Sequence, residues 1–130
     1  MKRIIAVLVL AFAVSGCASI TGLIPSFWDS NQSSRITDVE LAVHRLDCAQ
    51  PLTSQVAVIR DHLEWFVLYS KTRGSRNKDV IALVEPLRET TEDFYRRAQE
   101  GQASPAYCGI KQRIMTLQAH RAAQAIQGRF

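Results

Sequence analysis

The residue pattern of this 130-residue chain predicts an all-α fold, a small antiparallel up-down bundle of about four helices. Three observations predict it. From about residue 34 onward, apolar residues recur at three- and four-residue intervals, the spacing of one helix face. No segment holds the period-two alternation of a half-buried strand. The periodic stretches are separated by short breaks at Pro51, Gly74 and Gly101, residue types that end helices. A hydrophobic fraction of 47% and a charged fraction of 22% exclude a wholly disordered chain. Six Gly and four Pro exclude a collagen-like or low-complexity one, and the length suits a single domain.

The first helix is expected from about Arg35 to Cys48, with Ile36, Val39, Val43 and Leu46 on one face. Thr37 and Glu40 have capping-box spacing, Ser34 is a second candidate cap, and Pro51 stops the helix. The second helix begins after Thr53 or Ser54 and ends before Gly74. Val56, Ile59, Leu63, Phe66 and Val67 form its stripe, with Trp65 and Tyr69 one turn apart on an adjoining face. Lys71 and Arg73 suit its negative C-terminal end. Asn77 is the candidate cap of the third helix, whose buried side is Val80, Ile81, Val84, Leu87, Phe94, Tyr95 and Ala98. Pro86 either kinks this helix or opens a new one, and Gly101 ends it. Ser104-Pro105, a cap followed by an N1 proline, starts the fourth helix. Tyr107, Ile110, Ile114 and Leu117 are expected on its buried face, with Ala122 and Ala125 continuing nearby and Gly128 closing it.

The N-terminal segment reads as an address rather than as part of the fold. Met1-Lys2-Arg3 is positive, Ile4 to Val14 is an unbroken apolar run, and Ser15-Gly16-Cys17 follows. This is the order of an export signal, and the run is short for a bilayer span, which needs about 20 residues. Val14-Ser15-Gly16-Cys17 resembles the lipobox of bacterial lipoproteins. That resemblance implies cleavage before Cys17 and acylation of its thiol and new amine. Ala18 and Ser19 lack the aspartate that retains such proteins at the inner membrane, which implies the periplasmic leaflet of an outer membrane. Val14 stands where leucine is usual. The expected divisions are a signal peptide at 1–16, a lipidated N-terminus and tether at 17–33, and a bundle domain at 34–130. The whole-chain pattern resembles small lipoproteins of bacteria and their phages, which implies no particular activity.

With Cys17 carrying lipid, Cys48 and Cys108 remain. In an oxidising compartment an even pair reads as a disulfide. The competing readings are buried free thiols or metal ligands, with His44 one turn before Cys48. An up-down-up-down order places the end of the first helix beside the start of the fourth. The pairing and the topology therefore agree.

Removing Lys2 and Arg3 lowers the formal charge from +4 to +2, so the basic balance is weak. What stays basic is concentrated in the turn carrying Lys71, Arg73, Arg76 and Lys78, a candidate contact for anionic headgroups or a partner, or simply a solvated turn. Nucleic acid is not expected, since no binding motif is present. Trp65 and Tyr69 are candidate anchors for a protein partner if exposed. His44, His62 and His120 fall on three helices without a C-x-x-C-H or H-E-x-x-H motif, so no metal or other cofactor is expected. Glu85, Glu89, Glu92, Asp93 and Glu100 would have to supply any carboxylate pair for glycan hydrolysis, but Arg88, Arg96 and Arg97 lie among them as on a solvated flank. No catalytic residues are expected. The expected role is structural or protein-interacting at the envelope, through lipid on Cys17 and an envelope protein partner. The alternatives are a phage-encoded envelope lipoprotein, acting in superinfection exclusion or lysis, and a peptidoglycan-binding or wall-active protein.

Overall fold

A computed structural model describes residues 28–129. The export segment, Cys17 and the tether as far as Phe27 lie outside the described residues, as does Phe130.

Helix α1 spans Ser30–His44. It starts inside the segment read above as tether, because Asp29 is its cap: the carboxylate accepts from the backbone N–H of Asn31 at 2.9 Å and of Gln32 at 3.2 Å. The expected Thr37–Glu40 capping box does not form. Thr37 sits mid-helix and donates to the Ser33 carbonyl at 2.9 Å, while Glu40 meets His120. The helix also stops earlier than expected, at His44, and residues 45–51 make the turn.

Helix α2 spans Leu52–Thr72, α3 spans Lys78–Gln99 and α4 spans Pro105–Gln127. A short 3-10 turn, Ser75–Asn77, precedes α3. Gly74 and Gly101 follow α2 and α3 at φ +89° and +68°, the left-handed region that reverses the chain after a helix. At Gly101 both bonds of a Schellman motif are present, Gly101 N–H to the Ala98 carbonyl at 3.2 Å and Gln102 N–H to Arg97 at 2.9 Å.

Two expectations about α3 are narrowed. Of the two readings of Pro86, a kink or a new helix, the new helix is excluded: α3 is continuous from Lys78 to Gln99. Pro86 removes one N–H, and the carbonyl deprived of a partner is that of Ala82, an exposed residue that water can reach. Asn77 precedes the helix, but its side chain makes no cap bond because it is engaged elsewhere.

The helices pack around a square, α1 on α2, α2 on α3, α3 on α4, and α4 back on α1. The core lies along its axis, with Ile36 and Val39, Ile59 and Phe66, Leu87 and Phe94, and Met115 and Ile126 all buried. A side chain of this size contributes about 1.5–3 kcal/mol when fully buried. A disulfide joins Cys48 to Cys108, with Cα atoms 5.7 Å apart and a sequence separation of 60. It ties the turn after α1 to the first turn of α4, as the topology requires.

The buried face of α4 is not the expected one. Ile110, Ile114 and Leu117 are 49%, 40% and 61% exposed. Cys108, Met115, Ala119, Ala122, Ala123 and Ile126 face inward instead. At 3.6 residues per turn the two rows lie on roughly opposite sides of the helix. The disulfide holds Cys108 inward, and the alanines let α4 approach its neighbours closely, so the bulkier row is left outside.

Candidate functional site

The start of α1, the end of α2, the start of α3 and the end of α4 meet at one end of the bundle. A polar network built from side chains on three of these elements closes it. Gln32 is 1% exposed, and its amide donates to Ser70 Oγ and to Asn77 Oδ1, each at 2.9 Å. Asn77 donates in turn to the Arg73 carbonyl, one of those left open at the end of α2. Asp29 accepts from the Tyr69 hydroxyl at 3.2 Å and pairs with Arg73 at 3.3 Å. Asn31 donates to the same hydroxyl at 2.9 Å, and Asp79 pairs with Arg129 at 2.9 Å.

Of the six residues that the sequence offered for interaction, Trp65, Tyr69 and Lys71 lie side by side near the end of α2, and Arg73, Arg76 and Lys78 follow in the turn to α3. Trp65 stacks on Tyr69, with centroids 4.9 Å apart and planes 7° from parallel. The Arg35 guanidinium lies 4.5 Å from the Trp65 ring centroid and donates to His62 Nδ1 at 2.8 Å. Trp65 keeps 38% of its surface exposed, and exposed Leu68 stands beside it. Just past these rings come Lys71, Arg73 and Arg76, then Lys78 at the start of α3. Arg73 is paired with Asp29. Lys71, Arg76 and Lys78 are exposed and form no ion pair among the described residues.

A second polar cluster joins α3 to α4. Asp93 accepts from Lys111 at 2.8 Å, the Tyr107 hydroxyl at 2.9 Å and Arg96 at 2.7 Å. Lys111 first, then Tyr107 and Arg96, hold the Asp93 carboxyl well below the usual carboxylate range. Burial, and then the bond to Asp93, raises the Tyr107 hydroxyl above its ordinary value. Burial works against the Lys111 charge, but the bonds to Asp93 and Tyr107 outweigh it and leave its ammonium above the ordinary value. Such a group of charges is a strut between helices: the carboxylate is held ionised and already accepts three hydrogen bonds. Of the other carboxylates offered for catalysis, Glu85 pairs with Arg88 at 2.8 Å and Glu92 lies 3.9 Å from Arg60. Among the described residues no three or more His, Cys, Asp or Glu side chains are grouped to hold a metal ion. His44 ends α1, His62 accepts from Arg35, and His120 meets Glu40 at 3.0 Å.

Two rows of apolar side chains are left open on the flanks. On α4 they are Ile110, Ile114 and Leu117; on α2 they are Val58, Trp65 and Leu68, with Leu41 of α1 bordering the groove beside Val58. No described helix is long and apolar enough to cross a membrane.

The neutral amides are what sequence reasoning missed. Besides Gln32, Gln112 of α4 donates to the Val43 and Leu46 carbonyls at 3.2 and 2.9 Å, closing the C-terminal end of α1 from a neighbouring helix. Gln55 accepts from Asp47 N–H at 2.8 Å and donates to the Asp47 and Pro51 carbonyls, which fixes the α1–α2 turn. A lone glutamine carries no periodic or spacing signal, so none of these was legible beforehand.

Against known proteins, residues 1–18 match the prokaryotic membrane lipoprotein lipid attachment site. No curated protein and no solved structure matches the chain. The matched residues include Cys17, which bears the lipid in such sites, and the described chain begins at Trp28, at the polar end of the bundle. The chain is thus a bacterial lipoprotein, lipid-anchored to a membrane and carrying a small helical bundle.

Proposed function

We propose that this lipoprotein is a non-enzymatic interaction module, held on the periplasmic leaflet of the outer membrane and contributing to an envelope protein assembly. The observation that carries this reading is the exposed row Ile110, Ile114 and Leu117 on an anchored bundle. Three large aliphatic side chains at helical spacing on one outer face are costly to leave in water, and such a row is a seat for a partner helix or sheet. Exposed Arg113 and Arg121 flank it. The main polar clusters support the same reading, because their donors and acceptors are spent on holding helices together. The outer membrane is supported by Ala18 and Ser19 after the lipid-bearing cysteine.

The test is photo-crosslinking in intact cells from a probe at Leu117, with a probe at Glu89 on α3 as control. A discrete adduct from the α4 row alone, lost in Ile114→Asp, is expected. Labelling no stronger than at Glu89 refutes the docking role. Retention of purified protein on peptidoglycan, or a block to phage infection on expression alone, would replace it with a wall-binding or an exclusion role. Acyl labelling abolished by Cys17→Ala, with membrane fractionation, checks the anchor and its location.

A further inference from the structure

The network end of the bundle differs in charge from the rest of the molecule. Residues 28–35, 70–79 and 128–129 hold six cations (Arg35, Lys71, Arg73, Arg76, Lys78 and Arg129) and two carboxylates (Asp29 and Asp79). Both carboxylates are already paired, with Arg73 and Arg129. The remainder of the chain after Gly16 holds eight cations and ten carboxylates. The small positive charge of the anchored chain is therefore an excess at one end over a slightly negative body.

That end is also where the anchored segment joins. Ten residues lie between Cys17 and Trp28, eleven Cα steps with a reach of at most about 40 Å. Trp28, 52% exposed, begins the described chain, and Leu68, 55% exposed, stands on α2 near Lys71. Trp beside cations is the composition of a surface that meets lipid headgroups. We propose that this end is a docking surface for anionic lipid headgroups, with Lys71, Arg76 and Lys78 as the contacting cations and Trp28 and Leu68 entering the headgroup layer.

The anchor keeps this end within a tether's length of the bilayer, so a weak surface attraction acts at high effective concentration. The bundle then stands on its basic end. The row Ile110, Ile114 and Leu117 rises about 15–25 Å above that end, at 1.5 Å per residue along α4, and faces the aqueous side where a protein partner can reach it. The inference rests on the lipid anchor and not on which partner the α4 row binds.

The test uses the full lipidated protein reconstituted in vesicles of phosphatidylcholine, alone or mixed with phosphatidylglycerol. Lys71 is labelled with an amine-reactive ester and quantified by mass spectrometry against Lys111 of the same molecule, which is ion-paired on α4. Each cation near an anionic surface shifts the docked population about fivefold. Lys71 should label several-fold more slowly in the mixed vesicles, and high salt should remove the difference. Arg76→Gln combined with Lys78→Gln should keep the wild-type melting temperature and return Lys71 to the neutral-vesicle rate. Equal labelling in both vesicle types, or no effect of the double substitution, overturns the proposal. Protection of Lys71 in intact cells with none in protein-free vesicles assigns the cations to a protein and overturns it too.

Discussion

Replacing Gln32 with Ala should be among the most damaging single changes at a polar position. Its amide nitrogen lies 2.9 Å from both Ser70 Oγ and Asn77 Oδ1. Ser70 is inside α2, where its hydroxyl can turn to the carbonyl one turn earlier, so its loss is small. Asn77 has no such escape, since it is 7% exposed and its own amide already donates to Arg73. Leaving its oxygen without a donor costs about 1–3 kcal/mol. The lost packing of a fully buried side chain adds about 1 kcal/mol. The expected total is about 2–4 kcal/mol, a large part of the roughly 5–15 kcal/mol of a domain this size. Urea denaturation of the full chain in detergent, followed by far-UV circular dichroism, should show the midpoint falling by about 2 M. Gln32→Leu should recover the packing part alone. Gln32→Ala and Asn77→Ala should be non-additive by about 1–2 kcal/mol. A Gln32→Ala midpoint equal to wild type, or strict additivity of the pair, would refute the argument that this network holds three elements together.

Cys48→Ala opens a loop of 60 residues and should cost about 4 kcal/mol by the chain-entropy model, read as a lower melting temperature; two freely alkylated thiols in the exported protein would sink the disulfide. Pro86→Ala should stabilise by about 1–3 kcal/mol, since α3 is unbroken there and gains a hydrogen bond to Ala82; a loss of stability would mean that the proline shapes the helix. Asp93→Asn should change the acid limb of the stability–pH curve. A carboxyl depressed in the folded state contributes stability above its unfolded value of about 3.9, and that contribution is lost as pH falls through the folded value. Wild type should therefore lose stability more steeply than the variant below about pH 4 and exceed it at pH 7; parallel curves would dismiss the strut.

Legibility in the sequence followed how local the cause was. The starts and stops at Ser104-Pro105, Gly74 and Gly101 were readable, because each is a conformational preference of the residue itself. The stripes Val56–Ile59–Leu63–Phe66 and Val80–Val84–Leu87 were readable because each helix has one dominant apolar face. The start of α1 was misplaced, since Ser, Thr, Asp and Asn crowd residues 29–38 and several of them satisfy the capping rule equally well. Of the candidate interaction residues, the clustering of Lys71, Arg73, Arg76 and Lys78 was visible in one turn. That Asp29 pairs with Arg73, while Asp79 pairs with Arg129 and leaves Lys71, Arg76 and Lys78 outside any ion pair among the described residues, was not.

The helical class, the up-down order and the lipid attachment site were legible in the residues alone, and Cys48 with Cys108 was the one pairing they allowed, which the structure bonds. These rest on periodicity, turn chemistry, cysteine count and a short contiguous motif, all of which are local. Tertiary structure alone decided which of two apolar rows on α4 is buried. Both rows have helical spacing and cannot be told apart from the segment, but closing the square with Cys108 inward selects the row of small side chains. It also decided the work of Gln32, Gln55 and Gln112. A neutral amide becomes a structural bond only when another element's open carbonyl or side chain arrives within about 3 Å, and no sequence neighbour announces that meeting.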